Sequence, residues 1–361
     1  MLQRRTLRYQ DWPAPPPPKP VSSVGDMSFS GAGAPVSRRA PAASAVSGNI
    51  ADHYDALARE SSSSSSGCVE KRKRRSASLA IGVRNFNNSV KRALLAHWTP
   101  PPRPGTRHSL VDLGCGRGGD LDKWRRTLQG AGARVLGIDV SVDSVAEASR
   151  RAVSAQPQRK RTGNETHQPM VACTFYRADF ADPLLWSWID GRERNAFGAR
   201  AATPWRDVDV VTCHFAMHYA WHSDRAALAL LSNAAARLRC DGGRFICTVV
   251  SERVLRERWR RAGGGTIGNA LYKIVRTQEG DGEGACESYA FSLVDAVNNC
   301  VEWVVPEAQL LRLAGEAGLT PVLQAQPFLD ICPGPAVAAM SASEREVCSL
   351  YVAWVFERRE T

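Results

Sequence analysis

The chain has 361 residues, 43% of them hydrophobic, and carries 47 Lys and Arg against 36 Asp and Glu, for a formal charge of +11 and a pI near 9.4. That apolar fraction is enough for a packed core, one large domain or two small ones, and excludes a wholly disordered chain. The basic excess favours a polyanionic partner, with nucleic acid ahead of membrane because neither a long apolar run nor a lipidation motif occurs.

Ten cysteines are scattered singly from Cys68 to Cys348, with no C-x-x-C pair. Cys173, Cys213 and Cys247 sit inside apolar segments, so small core residues in a reducing compartment are expected, and no metal site.

Residues 1–48 are rich in Pro, Ser, Ala and Gly and poor in large apolar side chains. They cannot offset the entropy of ordering, which predicts a disordered tail ahead of a domain spanning 49–361. Arg4, Arg5 and Arg8 precede the first acid at Asp11, but no apolar secretory core follows. A short helix is expected over 50–58 and a flexible serine joint over 61–66. The basic run at 71–75 reads as a nuclear address, a phosphate contact or a solvated helix end; the residues leave these open.

Helical spacing of Phe86, Val90, Leu94 and Leu95 predicts a helix over 79–98, stopped by the prolines at 100–104. Strands are then expected at 109–113, 134–139, 171–178, 208–213 and 243–250, alternating with helices at 120–129, 142–155 and 223–239. Such alternation argues for an α/β domain with a parallel sheet covered on both faces. Basic insertions are expected at 156–168 and 191–205, and late strands at 286–304 and 348–357 around a helix at 306–317.

The first strand runs into Val111-Asp112-Leu113-Gly114-Cys115-Gly116-Arg117-Gly118-Gly119-Asp120. Glycines there remove the Cβ atoms that would keep a ligand off the backbone, and the next helix offers free N–H groups to the gap. Asp139 ends the second strand and Asp179 follows the third, so three acids stand at carboxyl ends of neighbouring strands, where open α/β sheets bind nucleotides. The turn resembles the S-adenosylmethionine loop of Rossmann-like methyltransferases.

Four further stretches narrow the resemblance. They are Arg84-Asn85-Phe86-Asn87-Asn88-Ser89-Val90-Lys91, Gly118-Gly119-Asp120-Leu121-x-Lys123-Trp124, Phe215-Ala216-Met217-His218-Tyr219 and Val301-Glu302-Trp303-Val304-Val305-Pro306. In order and spacing they resemble the eukaryotic mRNA cap guanine-N7 methyltransferase family, from about Ile50 to Glu357. The resemblance implies a class I fold with a mostly parallel seven-stranded sheet, S-adenosylmethionine as cofactor and GpppN-capped RNA as substrate. It places Lys91, Asp112, Gly114, Gly116, Asp139, Asp179, His214 and Tyr219 around the cofactor. Asn87, Asn88, Arg117, Lys123 and Arg151 would face the cap or its phosphates, and His218, Glu302 and Tyr351 would line the guanine side. A nuclear monomer is expected, its tail contacting the transcription or capping machinery.

The residue types suit that chemistry on their own terms. Arg and Lys bring charge and forked donors to phosphates, and a carboxylate such as Glu302 accepts both donors on one edge of guanine. His218 and Tyr219 offer flat faces with polar tips. No acid–base pair stands beside the glycine turn, which points to catalysis by alignment. The sequence departs from the family at Ser89, His214, Met217 and the short stretch 328–340. A small-molecule methyltransferase on the same sheet and a non-catalytic RNA-binding relative are the alternative readings.

Overall fold

The computed structural model describes residues 45–63, 78–128, 132–154, 171–197, 205–278 and 286–359. The sheet at its centre grows from apolar strands that are buried on both sides. In β1 (Ser109–Leu113), β4 (Val210–His214) and β5 (Arg244–Val250), Leu110, Val210 and Ile246 enter one core. Their neighbours Val111, Val211, Phe245 and Cys247 enter the other. Period-two alternation with both faces apolar is what a helix-covered parallel sheet requires. Each such buried side chain contributes roughly 1.5–3 kcal/mol.

With β2 (Arg134–Asp139), β3 (Ala172–Arg177), β10 (Leu319–Pro327) and β11 (Tyr351–Arg358), the strands form a seven-stranded sheet of order β10-β11-β5-β4-β1-β2-β3. Only β11 runs antiparallel to its neighbours. The chain leaves β1 for β2 on one side and returns to β4 on the other. The crevice therefore opens beyond the carboxyl ends of β1 and β4, where such sheets bind ligands.

Helices α1 (Ala45–Ser63), α2 (Ile81–Trp98), α3 (Leu121–Thr127), α4 (Val142–Ser154), α5 (Leu185–Phe197) and α6 (Asp224–Arg237) flank this sheet. α2 buries Val83, Phe86, Val90, Leu94 and Leu95, the stripe that its sequence spacing predicts, and ends at Thr99 before Pro100. After β5 comes α7 (Glu252–Ala262), capped by Ser251, whose hydroxyl accepts the Val254 N–H, and closed by Gly263 in the left-handed region. A second sheet then forms from β6 (Thr266–Gly268), β7 (Tyr272–Gln278), β8 (Ser288–Leu293) and β9 (Val297–Trp303), all antiparallel. α8 (Glu307–Glu316), the short α9 (Phe328–Ile331) and α10 (Pro335–Ala338), and α11 (Ala342–Cys348) complete the described fold.

Several expectations change. The helix predicted at 50–58 runs from Ala45 to Ser63, so it takes in the first serines of the expected joint. Residues 191–197 continue α5 instead of opening a basic insertion, because Trp186 and Ile189 anchor that helix on the core. α7, β6, β7 and β10 were not anticipated. The expected tail lies outside the described residues up to position 44, as do the basic run at 71–75 and the insertion at 156–168. Nine described cysteines are free thiols, and no described helix is long and apolar enough to cross a membrane.

Candidate active site

The turn after β1 is held by its own backbone. Gly114 and Cys115 both donate to the Ile138 carbonyl, at 2.8 and 3.0 Å. Gly114 has φ +83°, and a Cβ there would stand 2.6 Å from the Ala216 Cβ, so the position admits glycine alone. A Cβ on Gly116 would instead project into open space. The Gly116 N–H donates to Asp139 Oδ2 at 2.8 Å and the Ser141 N–H to Oδ1 at 3.0 Å, so each oxygen keeps acceptor capacity for a ligand. A cavity of about 180 Å³ opens here, with Gly114, Gly116, Asp139, Asp179, His214 and Tyr219 in its wall and Ile50 and Tyr54 of α1 across from them. Asp179 also accepts the Ala181 N–H at 2.8 Å. Partial burial of Asp139 raises its pKa, although backbone donors oppose the shift.

A second cavity of about 1070 Å³ shares Tyr54, Gly114, Gly116 and His214 with the first. It extends past Lys91, Arg117 and Asp120 to the outer strands, where Lys273, Ser292 and the β8–β9 turn line it. Asp120 sits at its base between two lysines, 2.7 Å from Lys91 Nζ and 2.6 Å from Lys123 Nζ. Burial alone would raise the Asp120 pKa; the two ammonium groups outweigh it and hold the carboxylate well below the usual range. Next to them, burial lowers the pKa of His214 to about 3, Lys91 and Lys123 adding to the effect, so its imidazole is neutral. Its Nε2 is buried without a hydrogen bond among the described residues. Asp112 lies beneath the turn, where its Oδ1 accepts the Thr212 hydroxyl at 2.6 Å. Burial, with repulsion from Asp120, lifts its pKa to about 7.

Beyond His214 the chain turns sharply: Phe215 has φ +55°, a strained value for a side chain of that size. The bend brings the Phe215 ring 4.9 Å from Tyr351 and the Lys91 ammonium 5.7 Å from its centroid. The following 3₁₀ turn, Met217–Ala220, carries His218 and Tyr219 against β9. His218 Nε2 is 3.5 Å from Glu302 Oε1, and the Tyr289 hydroxyl donates to Glu302 Oε2 at 2.9 Å. Tyr289 and Glu302 are register partners on β8 and β9, so the pairing of the second sheet sets this contact. Burial raises Glu302 to about 8, against the Tyr289 donor, and lowers His218 to about 3. Both are therefore uncharged at neutral pH. The Tyr219 hydroxyl lies 2.7 Å from that of Tyr54, which ties α1 to this wall.

Apart from Asp112 beneath the turn, Lys123 and Arg151, the sequence-predicted residues divide into four groups. Gly114, Gly116, Asp139, Asp179, His214 and Tyr219 meet at the smaller cavity, while Lys91 and Arg117 line the larger one. Asn87 and Asn88 lie on α2 beside the β8–β9 turn. His218, Glu302 and Tyr351 are buried behind the cavity walls at 3–5% exposure. Two positions differ from expectation. Lys123 does not reach outward to phosphates: it is buried, bonded to Asp120 and to the Gly119 carbonyl at 3.2 Å. Arg151 pairs with Glu147 along α4 at 2.7 Å and lines neither cavity. Tyr54 and Tyr289 were not anticipated. Tyr289 had a signal, the alternation of β8, but Tyr54 is brought in by tertiary packing alone.

A doubly covered parallel sheet with a glycine turn after β1, acids closing β2 and β3, and a reversed last strand defines the class I S-adenosylmethionine-dependent methyltransferase fold. Residues 39–334 match the model of the mRNA (guanine-N(7))-methyltransferase domain, and the chain belongs to that family. It is 28% identical over 336 residues to mRNA cap guanine-N(7) methyltransferase 1 of Oryza sativa subsp. japonica, covering 86% of this chain and 81% of that one. The mRNA cap guanine-N(7) methyltransferase of Cryptococcus neoformans var. neoformans serotype D (strain B-3501A) is 30% identical over 306 residues, covering 79% of this chain and 39% of its own. The one from Meyerozyma guilliermondii is 33% identical over 254 residues, covering 66% and 42%. The chain thus spans about two fifths of the length of these fungal relatives.

Proposed function

We propose that the protein transfers a methyl group from S-adenosylmethionine to N7 of the terminal guanine of GpppN-capped RNA. The observation that carries this is the pair of cavities joined at Tyr54, Gly114, Gly116 and His214, within a chain of this family. The smaller has acids and a glycine cradle suited to adenosine. The larger has Lys91, Arg117 and Lys273 for phosphates.

The residues fit the cofactor. Gly116 leaves open space where any side chain would intrude, Asp139 retains lone pairs for ribose hydroxyls, and the neutral His214 brings an unpaired nitrogen to the junction. Bound there, S-adenosylmethionine supplies an electrophilic methyl on a sulfonium. Guanine N7 has a free lone pair, so no residue has to remove a proton. The work of the protein is to align the two ligands, which supplies roughly 7–11 kcal/mol in favourable cases.

Glu302, which in this structure stands behind the cavity wall, is the residue we assign to the other edge of the base. Protonated when alone, it ionises as guanine N1–H and the exocyclic amine donate to its two oxygens, since hydrogen bonding to a carboxylate favours the charged form. Lys91 and Lys123, with one carboxylate between them, leave excess positive charge near the phosphate path. The basic run at 71–75 and the Pro-rich first 48 residues fit a nuclear protein whose tail meets the capping or transcription machinery, and a monomer is the state proposed for it.

Calorimetric titration tests the two-ligand site. S-adenosylhomocysteine and GpppA should each bind; Asp139→Ala should abolish the first and spare the second, and Glu302→Ala the reverse. A protein that binds neither ligand refutes the proposal.

A further inference from the structure

The methyl transfer just described leaves unused a cavity that adjoins the cap site. About 190 Å³ in volume, it lies between α2 and the β8–β9 turn, with Arg84, Asn87 and Asn88 on one side and Leu293, Val294 and Ala296 on the other. It shares Lys91, Leu293, Val294 and Ala296 with the large cavity, so whatever leaves the cap site on that side enters it directly. No acid lines it.

Arg84 and Asn88 stand four residues apart on one face of α2. Both are partly buried, yet neither side chain has a hydrogen bond or ion pair among the described residues. Asn87 has a weak one, accepting from the Cys348 thiol at 3.8 Å. A guanidinium and a carboxamide that have no protein partner and face the cavity keep their donors and acceptors available to a ligand that enters it. The forked guanidinium matches a phosphate, the carboxamide matches a ribose hydroxyl, and the apolar turn provides a face for a base.

We infer that this side cavity receives the ribose–phosphate of transcribed RNA immediately beyond the cap's triphosphate, with Arg84 as its phosphate contact. The inference rests on the proposed capping reaction and names a further part of its substrate. Contacts of this type read the RNA backbone and not its sequence.

The test compares methyl transfer to the GpppA dinucleotide and to a short GpppA-capped oligonucleotide. Arg84→Ala should raise KM for the oligonucleotide roughly tenfold, the usual loss for a charge-assisted contact, and leave kcat and the dinucleotide values unchanged. The slope of log affinity against log salt for the oligonucleotide should fall by about 0.7, one single-strand phosphate contact. Arg84→Lys, which keeps the charge but not the fork, should lie between. Equal losses on both substrates, or no loss on either, would overturn the inference. Wild-type protein that methylates neither substrate would overturn the capping reading itself, and this one with it.

Discussion

The two walls of the site are built by different physics. On the parallel-sheet side, residues emerge where strands end: Gly114 and Gly116 after β1, Asp139 closing β2, Asp179 after β3 and His214 closing β4. Their positions follow from chain direction, and each can be read from a short local pattern. On the antiparallel side, Glu302 owes its place to register with Tyr289 across β8 and β9, and to a 3₁₀ turn that carries His218 from another part of the chain. The first wall lies open and holds the Asp120 carboxylate between two ammonium groups; the second is buried, and burial favours the uncharged forms of His218 and Glu302. A sulfonium and phosphates suit the first, and a flat base suits the second.

The largest expected effect breaks the charged wall. Asp120→Ala leaves the buried Lys123 and the half-buried Lys91 without their carboxylate, and should cost about 3–5 kcal/mol in urea unfolding. A loss below about 1 kcal/mol, the value for an exposed pair, would show that water already screens the cluster. Next come the glycines of the same wall. Gly114→Ala combines the roughly 1–2 kcal/mol of left-handed strain with a clash against Ala216. Gly116→Ala incurs the strain alone, so its fold should survive while its methyl group blocks S-adenosylhomocysteine binding.

The buried wall predicts a pH dependence. Burial raises Glu302 to about 8, so below that pH each bound guanine must displace a proton from it. GpppA affinity should therefore rise with pH, by up to about tenfold per unit below 8, and level off above it. Glu302→Gln should flatten the profile; a wild-type affinity independent of pH would show that Glu302 is already ionised. The smallest effect belongs to Arg151. Its half-buried i,i+4 pair with Glu147 is worth about 0.3–0.5 kcal/mol, and Arg151→Ala should leave GpppA affinity unchanged. A marked fall would show that Arg151 leaves Glu147 for the cap phosphates.

The contrast between the walls also sets what the sequence reveals. β1, β2 and the glycine turn were legible because each is a local run of fixed period ending in a glycine or an acid. α7 and β10 were not: one is dominated by charge, and the other pairs only with β11, some thirty residues on. Lys123 was misplaced because a motif gives a lysine's position in the chain but not the direction of its side chain; two lysines competing for Asp120 turned it inward. Phe215 shows the same limit, since its left-handed backbone is imposed by Thr248, whose carbonyl and hydroxyl oxygens both accept its N–H at 3.1 Å.

The central claim is that two ligands meet at the junction of the walls, and label transfer tests it most directly. Purified protein with methyl-labelled S-adenosylmethionine would be offered GpppN-capped RNA, uncapped RNA and RNA already methylated at N7. The account predicts label on the first substrate alone, at guanine N7. Label on uncapped RNA, or none on GpppN-capped RNA despite tight S-adenosylhomocysteine binding, would contradict it.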